Sequence, residues 1–221
     1  MKIIKTNEVD NHHIFALVVG SSGSGKTTLA STLPADETLI LSAESGLLSI
    51  KKYSIDASEI NSFKDLGDAF KYITENKTKY KHIVIDSLTE IGEILFHELK
   101  PKYDKSKTFG LYEDYSTRMI KFLKALRDLT QYNIWILCLD KLTAKDFTEV
   151  VSLDLIQKSL SKKVPALFDE VFYLTSIEHE GENKRVLITD NTSIDFCKDR
   201  SGMLNKMELP NLGNIYNKIF N

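Results

Sequence analysis

The sequence predicts an α/β domain in which a mainly parallel central sheet is flanked by helices, with antiparallel strands added at the C-terminal end. Three observations support this class. Short apolar runs alternate with amphipathic segments as far as residue 140, which favours parallel strands joined by right-handed helical crossovers. A glycine-rich segment separates the first apolar run from the first helical one. After residue 165, two strand-like runs flank a tight turn, which predicts a hairpin.

The first strand is predicted at Ile14–Val19, because a continuous apolar run of this length is typical of a strand buried on both faces. Three later runs share this character. The segments between the runs carry apolar residues at three- and four-residue spacing, which indicates helices. The further predicted strands are Thr38–Leu41, His82–Ile85 and Ile134–Leu139, and the predicted helices are Lys26–Leu33, Phe63–Thr74, Leu88–Leu99 and Tyr112–Leu129.

The C-terminal part predicts three more strands and a closing helix. Val171–Ile177 and Arg185–Thr189 flank a turn at Gly181–Asn183, and Ser193–Cys197 has the pattern of one further strand. Apolar residues at helical spacing after Pro210 predict a short final helix. These strands are expected to join the sheet in antiparallel orientation.

Composition favours one domain over residues 1–221. The chain is 42% hydrophobic, which is enough for one substantial core, and no repeat or linker-like stretch divides it. The early apolar run is too short for a signal-peptide core or a membrane span, which predicts a soluble cytoplasmic protein with no membrane partner. Cys138 and Cys197 are interpreted as core residues. The formal net charge of −2 restricts any polyanion binding to local clusters.

Residues 20–27, GSSGSGKT, match the pattern G-x-x-x-x-G-K-[ST] between a predicted strand and a predicted helix. Backbone amides surround a triphosphate only where side chains are small and positive φ is permitted, and the first six residues meet that demand. Lys26 follows as a point charge for the β and γ oxygens, and Thr27 offers a hydroxyl to Mg²⁺. The pattern predicts a P-loop for a Mg-bound nucleotide, with ATP as the expected one. The predicted nucleotide contacts are Gly20, Ser21, Ser22, Gly23, Ser24, Gly25, Lys26, Thr27 and Thr28.

Two carboxylates are candidates to complete this site. Asp86 ends the strand-like HIVID and is predicted to hold Mg²⁺ together with Thr27, because such a loop requires a carboxylate at the tip of an adjacent strand. Glu44 lies just past the second predicted strand, where a carboxylate can polarise an attacking water. Spacing alone does not distinguish between two roles for Glu44, activation of water and an ordinary solvated loop residue.

Four segments spread over nearly the whole chain carry a family resemblance. They are GSSGSGKT, the AES at residues 43–45, HIVIDS at residues 82–87 and CKDRSGML at residues 197–204. Together they resemble the RecA-like P-loop ATPases, built on a RecA/RadA core, in the shortened form carried by bacteriophages for single-strand annealing and recombination. The resemblance implies a RecA-like ATPase that acts in DNA recombination, in the host cytoplasm if it is phage-encoded.

The resemblance also implies catalytic roles. Lys26 and Asp86 act at the nucleotide, and Glu44 activates water. The K-D-R-S-G motif resembles a pair of fingers, Lys198 and Arg200, that reach the nucleotide of a neighbouring subunit. Residues two apart on an extended segment face the same way, so both cations can point to one phosphate group. Only four arginines accompany 25 lysines, which makes Arg200 the stronger finger candidate. A surface strand that ends in charges is the alternative.

A sensor of the γ-phosphate is implied at the end of the fourth strand. Asp140 lies near that place, although glutamine, asparagine or histidine is more common there.

Two lysine-rich segments lie where RecA-like proteins carry mobile DNA-binding loops. Lysines pair with phosphates and an aromatic ring stacks on a base, which gives salt-sensitive binding without sequence preference. The resemblance implies single-stranded DNA, a homo-oligomer in the form of a ring or filament, and a single-strand-binding protein as partners. Ordinary solvated surface is the alternative. The residues are Lys100, Lys102, Tyr103, Lys105 and Lys107 after the third strand, and Lys158, Lys162 and Lys163 after the fourth.

Three other classes of P-loop protein share the loop pattern. A small-molecule phosphotransferase generally closes an arginine-rich lid over its donor, for which four dispersed arginines supply little. A GTPase requires an N-K-x-D motif to read the base, and the chain has none; Asp86 is followed by Ser-Leu-Thr instead of a D-x-x-G switch. A nucleotide-gated interaction module with little turnover stays open.

Overall fold

The computed structural model describes residues 13–75, 78–104, 106, 108–145 and 148–220, and for residues 144, 145, 148 and 149 it describes only the backbone. Across these residues a ten-stranded sheet is covered by helices on both faces. The strands are β1 (Phe15–Gly20), β2 (Thr38–Ser42), β3 (Asp56–Glu59), β4 (His82–Asp86), β5 (Asn133–Lys145), β6 (Thr148–Leu153), β7 (Glu170–His179), β8 (Glu182–Ile188), β9 (Lys198–Asp199) and β10 (Met207–Glu208).

The middle of the sheet is parallel, in the order β3-β2-β4-β5-β1-β7. Alternate residues of β1 belong to two different cores: Leu17 and Val19 pack on one face, Ala16 and Val18 on the other, and all four are fully buried. A strand with no solvent side carries no polar residues, which explains the unbroken apolar run. The predicted parallel α/β architecture is confirmed.

Helices occupy both faces of the sheet. They are α1 (Lys26–Ala30), α2 (Phe63–Glu75), α3 (Leu88–Leu99), α4 (Thr108–Arg127), α5 (Lys158–Lys163) and α6 (Leu212–Phe220). The core that contains Leu17 receives α2, α3, α4 and α5. The core that contains Val18 receives α1, α6 and a 3-10 helix at Gly46–Tyr53. No helix in the described part of the chain is both long and apolar enough to cross a membrane.

One expectation about strand order is wrong: the strand that ends at Asp86 is not adjacent to β1, because β5 lies between them. Gly20 is in register with Leu139, and Asp86 with Leu137, two residues earlier on the same strand. Since the three strands are parallel, their carboxyl ends still meet at one edge of the sheet. The alternation of strands and helices is the same for either order, so the sequence pattern could not distinguish them.

The C-terminal strands are antiparallel, as predicted. β8 pairs with β7, β10 pairs with β8, and β9 pairs with the amino end of β7. Glu180 and Gly181 form the turn between β7 and β8 with positive φ angles of 58° and 77°. The predicted strand at Ser193–Cys197 is wrong. Thr192 bonds through its hydroxyl to the carboxylate of Asp190, and local bonds of this kind favour turns over strands.

Several elements were not predicted. The edge strand β3 is exposed at all four residues and therefore lacks an apolar pattern. β5 runs on past its parallel neighbours β1 and β4 as far as Lys145 and pairs with β6 in a hairpin, where a loop was expected. α5 and β10 are too short to give a periodic signal.

Candidate nucleotide-binding site

The loop after β1 has the backbone shape that a phosphate-binding loop needs. Gly25 has a φ of 102°, which residues with side chains rarely adopt. Gly20 lies so close to β7 that a Cβ atom would come within 2.7 Å of the Leu174 carbonyl oxygen. The loop borders a cleft of about 640 Å³, within the size range of small-molecule sites. Of the nine predicted nucleotide contacts, the cleft is lined by Ser22, Gly23, Gly25, Lys26, Thr27 and Thr28.

Lys26 is held inside the loop. Its side chain donates to the carbonyl oxygens of Gly20 at 2.7 Å and Ser21 at 2.9 Å. Burial lowers the pKa of Lys26, and the nearby carboxylates of Glu44 and Asp86 oppose this shift. A lysine ammonium has three hydrogens, so one donor is left for a ligand in the cleft.

Thr27 and Asp86 form a hydroxyl–carboxylate pair of the kind that binds Mg²⁺. Thr27 Oγ1 donates to Asp86 Oδ2 at 2.6 Å. Asp86 is 1% exposed, and its Oδ1 has no hydrogen-bond partner among the described residues. Burial raises the pKa of Asp86 to about 6. The hydrogen bond from Thr27 lowers this pKa, and the negative charge of Glu44 raises it. A divalent cation would satisfy the orphaned oxygen and stabilise the buried charge, so these residues fit the expected metal.

The structure contains no cluster of three or more His, Cys, Asp or Glu side chains suited to a metal, within the residues it describes. Mg²⁺ in nucleotide sites is commonly bound by one or two protein ligands, with phosphate oxygens and water as the rest. The Thr27–Asp86 pair agrees with that mode of binding.

Glu44 is fixed beside Asp86. Ser87 Oγ donates to Glu44 Oε1, and the backbone N–H of Glu44 donates to the Asp86 carbonyl oxygen at 3.1 Å. Ser42 Oγ donates to the Glu44 carbonyl oxygen at 2.7 Å, and the Asp86–Ser87 peptide bond is cis. Glu44 lines the cleft, so the structure places it with the loop and not in a detached solvated segment.

Asp140 lies beside the loop but does not line the cleft. Its Oδ2 accepts hydrogen bonds from Ser21 Oγ at 2.8 Å and from the Tyr173 hydroxyl at 2.9 Å. Burial, and next the bond to Asp140, raise the pKa of Tyr173 to about 12. Asp140 therefore anchors the second residue of the loop to β5 and β7.

Lys198 and Arg200 are not brought to the loop of their own chain. β9 pairs with the amino end of β7, where Glu170 is also in register with Ala16 of β1. The two cations therefore lie near the start of β1, whereas the phosphate loop follows its end. Arg200 Nη1 donates to Asp169 Oδ1 at 2.5 Å. Burial lowers the pKa of Lys198, and the neighbouring guanidinium of Arg200 lowers it further.

Glu170 supports the turn that carries these cations. It is 3% exposed, accepts the Ser201 N–H at 3.1 Å through Oε1, and lies in register with Asp199. Burial and the Asp199 carboxylate raise the pKa of Glu170 to about 8. The folded protein thus retains a proton there that the unfolded chain loses near pH 4.5.

Stability should consequently fall as the pH rises from about 4.5 through about 8, because the folded state binds more protons than the unfolded state in that window. Glu170→Gln should remove this dependence and be more stable than wild type by roughly 2–4 kcal/mol at pH 9. Denaturant unfolding of both proteins at pH 5 and pH 9 measures the difference. If the free energy of unfolding changed by the same amount between pH 5 and pH 9 in wild type and in Glu170→Gln, the raised pKa of Glu170 would be contradicted.

The first lysine-rich segment differs from the predicted loop. Tyr103 donates through its hydroxyl to Asp114 Oδ2 at 3.1 Å, and its ring lies 3.3 Å from the Cβ position of Gly110. Its ring is therefore packed against α4 and not free to stack on a base. Lys105 and Lys107 lie outside the described residues.

The second lysine-rich segment is ordered as secondary structure. The β5–β6 hairpin occupies its first part, and α5 presents exposed Lys158, Lys162 and Lys163. These lysines keep the exposure that phosphate contacts would need.

Two charged residues that line the cleft, Glu90 and Arg185, were not predicted from the sequence. Glu90 lies in the first turn of α3, where burial and the charge of Glu44 raise its pKa. Its position four residues after Asp86 was the available signal. Arg185 comes from β8, which is remote in sequence, and only strand pairing brings it to the loop.

Comparison with known proteins shows a matching family and similarity to solved structures, one of which is described below. A family model described as an AAA domain matches residues 12–201. A KaiC-like protein from the hyperthermophilic archaeon Pyrococcus horikoshii OT3 has 16% identity and a TM-score of 0.43, over 79% of this chain and 77% of that one. No curated protein matches the chain. Because the family model spans most of the sequence and the P-loop site lies within it, the chain belongs to this AAA-domain family and carries its P-loop in a mainly parallel α/β fold.

Proposed function

We propose that the protein binds and hydrolyses ATP and acts as an oligomer on single-stranded DNA, in recombination or annealing. One observation carries the ATPase part: Lys26, the Thr27–Asp86 pair and Glu44 converge on one cleft at the carboxyl edge of the sheet. Hydrolysis of a nucleoside triphosphate needs three things from the protein. They are a cationic side chain that contacts the phosphates, ligands for the metal ion, and a group that orients the attacking water.

The side chains divide the chemistry among them. Lys26 donates to the phosphates, and Thr27 and Asp86 would hold Mg²⁺, which neutralises phosphate charge when bound. Glu44 orients the attacking water and accepts its proton. The Ser87 bond occupies one carboxylate oxygen of Glu44 and fixes the side chain, so its other oxygen is left for the water.

The position of the fingers supports an oligomer. Gly20, at the loop, lies four residue steps along β1 from Ala16, near the fingers, which is about 13 Å of strand at 3.3 Å per residue. Arg200 therefore cannot serve its own loop without unfolding β9. A head-to-tail contact between copies would bring Arg200 of one to the cleft of the next, and such contacts build rings or filaments.

The DNA part of the proposal rests on exposed lysines and an exposed aromatic ring that are near one another in the sequence. Phe109, at the start of α4, is 83% exposed, and Lys100 and Lys102 are exposed on the turn that precedes it. Single-strand sites combine cations for the backbone with aromatic rings for the bases. Phe109 takes the stacking role expected of Tyr103, whose ring is packed. A single-strand-binding protein is the expected protein partner.

Steady-state ATP turnover with and without single-stranded DNA, across increasing salt, tests this function. Turnover should rise with DNA at low salt, and the stimulation should fade as salt increases. Phe109→Ala should weaken DNA binding by about 5- to 150-fold, because stacking contributes about 1–3 kcal/mol per base. Leu209→Ala, a similarly exposed apolar residue (73%), is the matched control and should have no effect.

An ATP turnover rate that does not change on addition of DNA at any salt concentration would contradict the DNA assignment. It would favour the phosphotransferase or the interaction module. Those two differ in turnover itself. An interaction module would bind ATP and assemble with little hydrolysis, whereas a phosphotransferase would consume ATP only with an acceptor.

A further inference from the structure

Arg185 differs from the other three arginines in its charge environment. Those three form ion pairs with aspartates. The pairs are Arg118–Asp114 at 2.8 Å, Arg127–Asp128 at 3.0 Å and Arg200–Asp169 at 2.5 Å. Arg185 has no carboxylate partner within the part of the chain that the structure describes, although it lines the same cleft as Glu44 and Glu90.

The guanidinium of Arg185 lies over the phosphate loop. A Cβ atom built on Gly25 would be 3.1 Å from Arg185 Nη1 and 3.3 Å from its Cζ. Strand alternation places Arg185 on the same face of β8 as Leu187, which packs in the core that contains Leu29 of α1. β8 therefore delivers the side chain to the helix and loop, and the contact is a consequence of the fold.

We propose that Arg185 is a nucleotide-binding residue of its own chain that contacts the α- and β-phosphates; this rests on the proposed ATP-binding function. Gly25 precedes Lys26, and the glycine-rich part of such a loop cradles the α- and β-phosphates while the lysine reaches the β and γ oxygens. Arg185 covers that glycine-rich part. A planar guanidinium with five donors matches phosphate oxygens, whereas an isolated surface arginine gains nothing from this position.

The electrostatics of the cleft support this role. Glu44, Asp86 and Glu90 place negative charge around the Mg²⁺ and water side of the site. A triphosphate also carries negative charge, so its binding needs cations from the protein. Lys26 is one, and Arg185 is the other cation that lines the cleft in the described structure.

This position separates Arg185 from Arg200 in function. A residue that holds the α- and β-phosphates contacts ATP and ADP alike, so it contributes equally to the ground state and the transition state. Substitution of Arg185 should therefore raise Kd and KM and change kcat only slightly. Substitution of a finger that acts on the transferring phosphate should instead lower kcat.

Calorimetric titration of the full chain with Mg-ATP, Mg-ADP and inorganic tripolyphosphate tests the proposal. Arg185→Ala should weaken all three by about 10- to 100-fold, as expected for the loss of charge-assisted bonds. Arg185→Lys, which keeps the charge without the fork, should give an intermediate loss and remains informative if the alanine variant does not fold. Lys184→Ala is the matched control, because Lys184 is the adjacent cation and lies near Glu180 and Glu182 in the hairpin instead.

Three results would overturn the proposal. Unchanged affinity in Arg185→Ala and Arg185→Lys would make Arg185 an ordinary surface residue. If the Arg185 variants lost affinity for ATP and ADP but kept their affinity for tripolyphosphate, the guanidinium would contact the adenine base and not the phosphates. Absence of any nucleotide binding by the wild-type protein would remove the ATP-binding function itself, and with it this role.

Discussion

Lys26→Ala is expected to abolish measurable nucleotide binding. The lysine supplies the loop's positive charge at a site that is 6% exposed, where water cannot replace it. Each hydrogen bond to a charged group contributes about 1.5–3 kcal/mol. Phosphate would take the free donor of Lys26 and replace one of its two loop carbonyls, so the loss of two such bonds lowers affinity by about 10²–10⁴. Titration with Mg-ATP measures the change.

The same variant should remain folded, because its neighbours in the loop keep their backbone bonds; circular dichroism and the thermal midpoint check this. Lys64→Ala, which removes an exposed lysine on α2, is the control for loss of one charge. ATP affinity retained by folded Lys26→Ala protein would remove the phosphate-loop assignment.

Arg200→Ala is expected to leave nucleotide binding largely intact while hydrolysis falls by about 10³–10⁵, the range known for arginine fingers. Because Arg200 lies far from the loop of its own chain, we expect this effect to be intermolecular. Steady-state turnover at saturating ATP measures it. Arg127→Ala is the matched control, because it removes another aspartate-paired arginine on the surface, away from β9.

Mixing Arg200→Ala with Glu44→Ala protein tests the intermolecular arrangement. Neither variant can form a complete site alone. In a mixed oligomer, the Arg200→Ala subunit supplies Glu44 and its neighbour supplies Arg200, so about one interface in four should be active at equal amounts. Activity that stays at the level of the separate variants at every mixing ratio would indicate a site formed within one chain.

The sequence was informative where a local pattern carries the whole constraint. His82–Asp86 and Leu88–Leu99 were recognisable because buried strands and amphipathic helices repeat at fixed periods. The phosphate loop was recognisable because contiguous residues meet a backbone requirement at Gly25 and a charge requirement at Lys26.

The remaining features depend on contacts between distant segments. The place of β5 between β1 and β4 is set by packing of the whole sheet, and apolar runs are the same for either order. Ser193–Cys197 has the composition of a strand, but side-chain bonds around Asp190 close it into turns. Arg185 reaches the loop only because β8 pairs with β7, so no local signal marked it.

The central claim is that the loop at residues 20–27 binds the phosphates of a Mg-bound nucleotide. A crystal structure of the full chain with Mg²⁺ and a non-hydrolysable ATP analogue tests it most directly. The expected result is a triphosphate surrounded by the loop amides, with Lys26 on its oxygens and Mg²⁺ between Thr27 and Asp86. A loop left empty at saturating analogue, or a nucleotide bound elsewhere on the chain, would contradict the claim.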